Sequence, residues 1–373
     1  MTKDNHIYLG GKGAPLAAVS HPDTPGKAPS LTELTRGTEL PSSHLSKGRK
    51  LIEEILPTRA SREVLRAEAL PHPTGVTSRK INWRYVVAVA SYHLLAPLAL
   101  LSWFYSRTGT VVAVAGVYVF GAAGINLCYH RLLSHRSFKC PLWLEHSFAI
   151  IAVCCLEDTP ARWVATHRQH HHRADEQADP HSPMVNLAWS YVGWLFVENT
   201  DLLRHTAYDR YARDIIRDPF YRWIERFVVW ITLVQSLLYF ASGFLIEVSL
   251  GGSSGEAVQF GASLWLWGVV IRTILVWHVT WCGNSFPHMF GYRNYETDDN
   301  SRNNAWVAII TSGEGWHNNH HADPNSATNQ RRWWEIDLTY FFLCGLSLLG
   351  LAWDIELPRQ TASVQIPDLI APG

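Results

Sequence analysis

Two segments of this chain, His167-Arg-Gln-His170-His171 and His317-Asn-Asn-His320-His321, repeat the pattern HxxHH. On an α-helix, residues three and four positions apart lie on one face, so each segment offers up to three imidazoles from little more than one turn. Neutral imidazole is a good ligand for iron, copper and zinc. The repeated pattern therefore predicts a metal site built from helical histidines.

Three further histidines lie in two other short motifs. His130 and His135 occur in HRLLSH, and His288 ends the segment NSFPH, which begins at Asn284. His130 and His135 are five residues apart, about 140° around an ideal helix, so they either serve different metals or straddle a helix end. One ion cannot use nine imidazoles, whereas two ions can, with positions left for water or oxygen. Asn284 lies one helical turn before His288, which suits it to hold a metal-bound water.

Other polar residues near these motifs are assigned supporting roles. His172 extends the first HxxHH but points away from the shared face, and His181, in DPHSP, is interpreted as a supporting or loop-fixing group. Carboxylates are expected to accept the second N–H of ligating imidazoles. The candidates are Asp158, Asp175, Asp179, Asp298, Asp299, Glu314 and Asp323. Trp163, Thr280 and Trp281 are candidates for lining a substrate channel, although core packing explains the tryptophans about equally well.

The composition changes at about residue 80. Residues 1–80 are polar and rich in Pro, Gly, Ser, Lys and Arg, which predicts a largely disordered tail. Residues 81–355 are rich in Leu, Val, Ala and Trp and form the predicted membrane domain, followed by a short tail over 356–373. The formal net charge is zero, so no basic excess indicates nucleic-acid binding. None of the six cysteines forms a CxxC motif, which favours a reducing compartment.

Four apolar segments are close to the length that crosses a lipid bilayer, and they cover residues 85–104, 111–128, 227–250 and 260–282. The short links between the first two and the last two predict two helical hairpins. Two other apolar stretches, 141–156 and 339–353, are short for a span and are interpreted as interfacial or buried helices. The predicted fold is therefore an all-α integral membrane protein with four transmembrane helices, capped by a helical domain that carries the histidines.

Basic residues predict the orientation of this protein in the membrane. Three precede the first span and three precede the third, whereas the two hairpin tips carry a single arginine, Arg107. The positive-inside rule then places both termini in the cytosol. All four histidine motifs then fall on the cytosolic side. Because the orientation was assigned from Lys and Arg alone, their common location is independent support for it.

The four histidine motifs resemble those of the membrane-bound fatty acid desaturases, in particular the stearoyl-CoA and acyl-lipid Δ9 branch of bacterial and plant-like type. The resemblance covers roughly residues 84–355. It rests on GINLCYHRLLSHRSFK (124–139), WVATHRQHHHRADEQADPHSP (163–183), NSFPHMFGYRNY (284–295) and GEGWHNNHHADP (313–324). It implies a di-iron centre whose ligands are His130, His135, His167, His170, His171, His288, His317, His320 and His321, with Asn284 binding through water.

The resemblance also implies a reaction. A desaturase removes two hydrogens from an unactivated CH2–CH2 pair, which no side-chain acid or base can ionise, so dioxygen and a metal centre are required. Four electrons reduce dioxygen to two waters; two come from the substrate and two from an external donor. The implied partners are a fatty acyl substrate, dioxygen, the bilayer and a ferredoxin or cytochrome b5-type donor. Zinc is expected to replace iron in overexpressed protein, since imidazole sites accept both.

One departure from the animal acyl-CoA members concerns the acyl carrier. Those members have Arg-Asp before the second histidine motif, where the arginine helps to hold CoA, and this chain has Ala165-Thr166. The carrier is therefore left open among CoA, acyl carrier protein and intact lipid. Two alternatives to desaturation are an alkane or fatty-acid hydroxylase with a similar histidine set, and a metal transporter. A transporter is disfavoured because its sites should lie within the spans near the midplane.

Overall fold

The computed structural model describes residues 69–76 and 80–359, which form one helical unit. Within these residues there are no β-strands, only isolated bridges. Most of the predicted N-terminal tail and residues 360–373 of the predicted C-terminal tail lie outside the described residues. Disorder of the N-terminal tail therefore stays a prediction. Residues 69–76 are hydrogen-bonded to the unit: Leu70 N–H donates to the Met184 carbonyl (2.9 Å), and Gly75 N–H donates to Asp201 (3.0 Å).

Nine helices carry labels here, and short helical turns join some of them. The labelled helices are α1 (Trp83–Leu95), α2 (Arg107–Ser134), α3 (Leu142–Val153), α4 (Pro160–Arg173), α5 (Pro219–Ser249), α6 (Ser254–His288), α7 (Ala305–Ile310), α8 (His317–Ala322) and α9 (Leu338–Leu348). A 3₁₀ turn, Ala96–Leu100, follows α1. Six short turns lie between α4 and α5: Leu187–Tyr191, Gly193–Phe196, Thr200–Leu202, Arg204–Tyr208, Asp209–Tyr211 and Arg213–Arg217.

Three of the described helices, α2, α5 and α6, are long and apolar enough to cross a membrane. They contain the second, third and fourth predicted spans almost completely. Many large apolar side chains of α5 are exposed, among them Val229, Trp230 and Leu237. Exposed apolar surface on this scale is unusual for a soluble monomer and suits a lipid environment. The chain is a membrane protein.

The first predicted span, residues 85–104, has a different form. Helix α1 ends at Leu95 and continues only as the 3₁₀ turn, which contains Pro97. Proline has no backbone N–H and its ring clashes with the carbonyl four residues earlier, so a regular α-helix ends before it. The structure thus contains a short helix and a turn where the sequence predicted one continuous span.

Helices α5 and α6 pack closely against each other. The backbone reverses through residues 250–253, and Ser253 with Glu256 forms a reciprocal capping box at the start of α6. A methyl group added at Gly243 on α5 would lie 2.8 Å from the Gly261 Cα of α6. Glycine at this crossing is therefore what lets the two backbones approach.

The two apolar stretches that were too short for a span form α3 and α9, with 12 and 11 residues. Helix α3 packs inside the protein, because Phe148, Ala149 and Ala152 are buried in the main hydrophobic core. Helices α2, α4, α6 and α8 then bring the histidine motifs together at one end of the bundle.

Candidate metal centre

The structure brings all nine predicted histidines together in two adjacent groups. In each group, the candidate ligand atoms lie within 4.8 Å of one another. The first group contains His130, His135, His167, His171 and His320, and the second contains His170, His288, His317 and His321. The rings of His171 and His321 are 4.5 Å apart between centroids, so the two groups share a boundary.

Each HxxHH segment supplies both groups. Helix α4 begins with Pro160 at its first turn, where a missing N–H costs nothing, and presents His167 and His171 to the first group and His170 to the second. Helix α8 presents His320 to the first group and both His317 and His321 to the second. The i, i+3, i+4 pattern thus serves both groups at once, because the middle histidine of each segment faces one group and the outer two histidines face the other.

A π-helical stretch explains why His130 and His135 belong to the same group. Residues Val117–Ser134 of α2 form a π-helix, and the His135 N–H donates to the His130 carbonyl five residues earlier (3.1 Å). The wider π-helical turn brings residues five apart toward one side, whereas an ideal α-helix would separate them widely. Their ring centroids are 4.9 Å apart. The sequence left two interpretations of this pair, either binding to different metals or a position on both sides of a helix end. The structure shows the second arrangement, since His135 directly follows the helix.

Close approaches between ring nitrogens suit a shared cation. The Nε2–Nε2 distance is 3.0 Å for His130 and His320, 2.8 Å for His135 and His167, and 3.0 Å for His288 and His317. Two imidazole nitrogens, each about 2.1 Å from one ion and at a right angle, would lie roughly 3 Å apart. The spacing of the rings therefore fits metal ligation.

Four carboxylates fix the orientation of the rings from behind. Four rings are paired through their Nδ1 atoms: His130 with Glu314 (2.9 Å), His170 with Asp179 (2.9 Å), His288 with Asp175 (3.0 Å) and His321 with Asp299 (2.6 Å). A ring that donates its Nδ1–H to a carboxylate keeps a lone pair on Nε2, and that atom faces the group. Of the seven predicted carboxylates, these four contact the histidines, whereas Asp158 pairs with Arg162 and Asp323 lies near Arg331 and Arg359.

Burial keeps several of the rings neutral. It lowers the pKa of His167, His171, His317 and His320 well below the usual value, with neighbouring histidines adding to the effect. Burial also lowers the pKa of His321 to about 4, although Asp299 opposes it. Burial raises the pKa of the Glu314 carboxyl, but Arg131 and His130 outweigh this effect and lower that pKa to about 2. At neutral pH these rings are available as ligands and this carboxylate is ionised.

Two histidines near the centre lie outside the two groups. His172 is exposed, and its nearest aromatic contact is Tyr211, at 6.2 Å between centroids. His181 stacks on His170 at 4.5 Å, and its backbone N–H donates to Asp179 (3.1 Å). His170, Asp179 and His181 form a third close set, which shares His170 with the second group. Because Asp179 already pairs with His170 Nδ1, we interpret this set as support for His170.

A pocket leads from the first group into the apolar part of the bundle. Its wall includes all three predicted channel residues, Trp163, Thr280 and Trp281, together with Asn284 and His167. Trp163 stacks on His167 with 5.0 Å between ring centroids. A second, smaller pocket also contacts Asn284 and includes His130 and His317. Asn284 thus lines both pockets, next to members of each group, and its binding of a metal through water stays a prediction.

Glu157 is a functional candidate that the sequence analysis missed. Its side chain lines the pocket, and the Thr280 hydroxyl donates to its Oε1 atom (2.7 Å). Burial raises the pKa of the Glu157 carboxyl to about 8, and hydrogen bonds from Thr280 and Trp163 only partly oppose this effect. The available signal was an acidic residue directly after the apolar stretch 149–156, ten residues before the HxxHH motif.

Comparisons with known proteins agree with this site. A profile described as "Fatty acid desaturase" matches residues 108–340. An sn-2 palmitoyl-lipid 9-desaturase of Nostoc sp. is 39% identical over 75% of this chain and 92% of its own length. An sn-1 stearoyl-lipid 9-desaturase of Synechocystis sp. is 39% identical over 75% of this chain and 82% of its own length. An acyl-CoA 5-desaturase of Anemone leveillei is 35% identical over 82% of this chain and 92% of its own length.

These relatives favour desaturation over the hydroxylase and transporter alternatives. They include both acyl-lipid and acyl-CoA enzymes, so they leave the acyl carrier open. The matched region contains all four histidine motifs and most of the described helices. The chain belongs to the fatty acid desaturase family and is a fatty acyl desaturase.

Proposed function

We propose that this desaturase introduces a cis double bond at the Δ9 position of a saturated acyl chain carried on a membrane lipid. The proposal takes its regiochemistry from the two lipid 9-desaturases, which are each 39% identical to this chain. The preference for lipid over CoA rests on the arginines beside the second histidine motif. The acyl chain would enter the pocket beside His167 and place its reacting carbons next to the two histidine groups.

The arginines near the pocket are already engaged within the protein. Arg168 donates to the carbonyls of Leu133, Ser134 and Tyr211 and to Asp214, with distances of 2.7–3.0 Å. Arg162 pairs with Asp158 (3.3 Å) and lies over the Tyr85 ring. Ala165 and Thr166, which replace the Arg-Asp pair of animal members, are buried. Since CoA phosphates are normally bound by Arg or Lys, this arrangement supports a lipid carrier.

Competing carriers in one reconstituted assay would test this proposal. Purified protein with an electron donor would receive stearoyl-CoA, stearoyl-acyl carrier protein or phospholipid-bound stearate, and gas chromatography would measure the monounsaturated product. We expect turnover on the lipid. Rapid turnover of stearoyl-CoA with none on the other two carriers would refute the lipid carrier and leave the desaturase activity standing. The double-bond position in the product tests Δ9 independently.

We also propose that the two histidine groups hold two iron ions, one per group, with Asn284 binding the second through water. Bound iron would supply the oxidative chemistry with dioxygen that an unactivated carbon pair requires. The protein orients the Nε2 atoms through the carboxylates behind them, and the stacked Trp163 shapes the pocket beside His167. A ferredoxin or cytochrome b5-type protein would deliver the two external electrons. Metal analysis of protein produced in iron-supplemented and zinc-supplemented cells would measure identity and stoichiometry.

For the membrane topology we propose four crossings in two hairpins, with both termini and the metal centre in the cytosol. Helix α1 and its 3₁₀ turn would form the first crossing, and their exposed Val87, Leu94 and Leu100 support contact with lipid. Single cysteines introduced at residues 108 and 252, in a variant without its native cysteines, would be labelled from the outside by an impermeant maleimide. Labelling of these positions only after permeabilisation would refute the orientation.

A further inference from the structure

A polar cleft opens on the boundary between the two histidine groups. It has a volume of about 540 Å³, and both His171 and His321 line it. The pocket beside His167 approaches the same centre from the apolar part of the bundle and is lined by several aromatic and aliphatic side chains. These two openings differ in character, since the cleft is polar and the pocket beside His167 is largely apolar.

The cleft carries a strong excess of negative charge. Five carboxylates line it, and no lysine or arginine does; the five are Asp175, Glu176, Glu296, Asp298 and Asp299. Asp175 and Asp299 are at its inner end, where they pair with His288 and His321. Glu176, Glu296 and Asp298 are exposed at its outer part. Charge of one sign in a cleft focuses the field and raises the local concentration of the opposite ion.

At the inner end of the cleft lies a candidate ligand atom of the second group that has no hydrogen-bond partner in the protein. The His321 side chain is only 2% exposed, and its Nε2 atom has no hydrogen-bond partner. Its Nδ1 atom pairs with Asp299 (2.6 Å), so the lone pair of a neutral ring is on Nε2. A buried nitrogen without a partner loses its hydration without compensation, and a bound cation would supply the missing contact.

Two of the outer carboxylates have partners, and one does not. Glu176 pairs with Arg173 (3.0 Å) and Glu296 lies 3.8 Å from Arg293. These arginines do not line the cleft. The Asp298 carboxylate makes no hydrogen bond or ion pair with the residues that the structure describes. The charge on the outer wall is thus only partly compensated.

We infer that this acidic cleft is the route by which divalent metal ions reach the two histidine groups. Hydrated dications would be collected by the exposed Glu176, Glu296 and Asp298, would pass Asp175 and Asp299, and would meet His171 and His321 first. The largely apolar pocket beside His167 would oppose entry of a hydrated ion and stays available for the acyl chain. This inference rests on the proposed two-metal site, whose failure the experiment below would reveal separately.

The test compares metal-loading rates of two matched triple variants. The variant E176Q/E296Q/D298N removes three charges from the cleft, and the control E198Q/D209N/E356Q removes three exposed charges that do not line it. Full-length apoprotein in detergent is mixed with Co²⁺, and the visible absorption of histidine-bound Co²⁺ is followed over time. If chelation disturbs the apoprotein, exchange of radioactive Zn²⁺ into zinc-loaded protein gives the same comparison.

We expect the cleft variant to load metal about tenfold more slowly than wild type at low ionic strength, because a focusing field of this kind raises association rates by ~10-fold or more. The difference should largely vanish at about 1 M salt, where the Debye length is roughly 3 Å. The final content should stay at two ions per chain.

Three results would overturn the inference. They are equal loading rates in all three proteins, an equal slowing in the control variant, and a lower final metal content in the cleft variant, which would make these acids ligands. A cleft variant that loads normally but receives electrons slowly from its donor would identify a docking surface for a basic partner instead. Failure of wild type to bind two ions would refute the two-metal site itself.

Discussion

Replacing Glu157 with glutamine should remove a pH-dependent cost that the carboxyl imposes on the folded protein. Burial raises the pKa of Glu157 from 4.5 to about 8. When the pKa of a carboxyl is higher in the folded state than in the unfolded state, its contribution to the free energy of unfolding is smallest at pH values where both states are ionised. Its contribution is therefore fully present below pH 4.5 and is lost as the pH rises toward 8. Glutamine keeps the contact with Thr280 and does not titrate.

The size of the effect follows from the shift. Each pKa unit corresponds to about 1.36 kcal/mol, so between pH 5.5 and 7.5 the two-state linkage gives a loss of roughly 2.5 kcal/mol in the free energy of unfolding. Part of the Glu157 surface is accessible through the pocket, and solvent screening reduces this figure. We therefore expect about half of it, on the order of 1 kcal/mol, or ~2–4 °C in melting temperature.

Thermal unfolding of the detergent-solubilised protein, followed by tryptophan fluorescence, measures this difference. The melting temperature of E157Q minus that of wild type should increase between pH 5.5 and 7.5. E198Q, which changes an exposed acid outside the pocket, is the matched control and should follow wild type. Parallel profiles for E157Q and wild type would show that Glu157 is not held neutral by its surroundings.

Three other predictions test the centre and the packing. H171A should abolish desaturation in cells while the amount of protein in the membrane stays normal. H172A, at an exposed position outside both groups, should keep most of the activity. An equal loss of unsaturated product in the two variants, measured by gas chromatography, would contradict the ligand assignment. D179N should weaken metal binding about 10–100-fold in a competition titration with a chelator, because His170 loses the carboxylate that orients it, and unchanged affinity would refute that role. G243A should cost about 1–3 kcal/mol through overpacking between α5 and α6, seen as a lower melting temperature, whereas the control G345A has nothing within 4 Å to clash with and should melt like wild type.

The sequence indicates which histidines lie together because the information in the histidine motifs is local. The HxxHH spacing alone places three imidazoles on one helical face, and the nine histidines that it and the other motifs indicated are those that the structure brings together. The division of each HxxHH between two groups was not predictable, since it depends on how α4 and α8 cross. The pairing of His130 with His135 depended on a π-helix, which the local pattern does not reveal.

The long helices were predicted from apolar length, and the departures from that prediction have local causes. Pro97 interrupts the first segment, although the surrounding residues are apolar enough for a span. Glu157 was overlooked because a single acid at the end of an apolar stretch usually caps a helix or faces solvent. Only the tertiary contact with Thr280, 123 positions away, shows that it lines the pocket.

The carboxylates behind the rings have a consequence for the electrical balance of the centre. Glu314, Asp179, Asp175 and Asp299 carry four negative charges, which equals the positive charge of two divalent cations. Arg131 contacts both Glu314 (2.7 Å) and Asp337 (3.0 Å), and the charge of Asp337 offsets that of the arginine. Soluble di-iron bundles place such carboxylates directly on the metal. Here each one pairs with the far nitrogen of a ring, so two bound dications would be neutralised without any carboxylate among their ligands. In the proposed two-metal site, positions between the rings would stay exchangeable, and a long apolar chain could pass beside the ions without meeting a charged ligand.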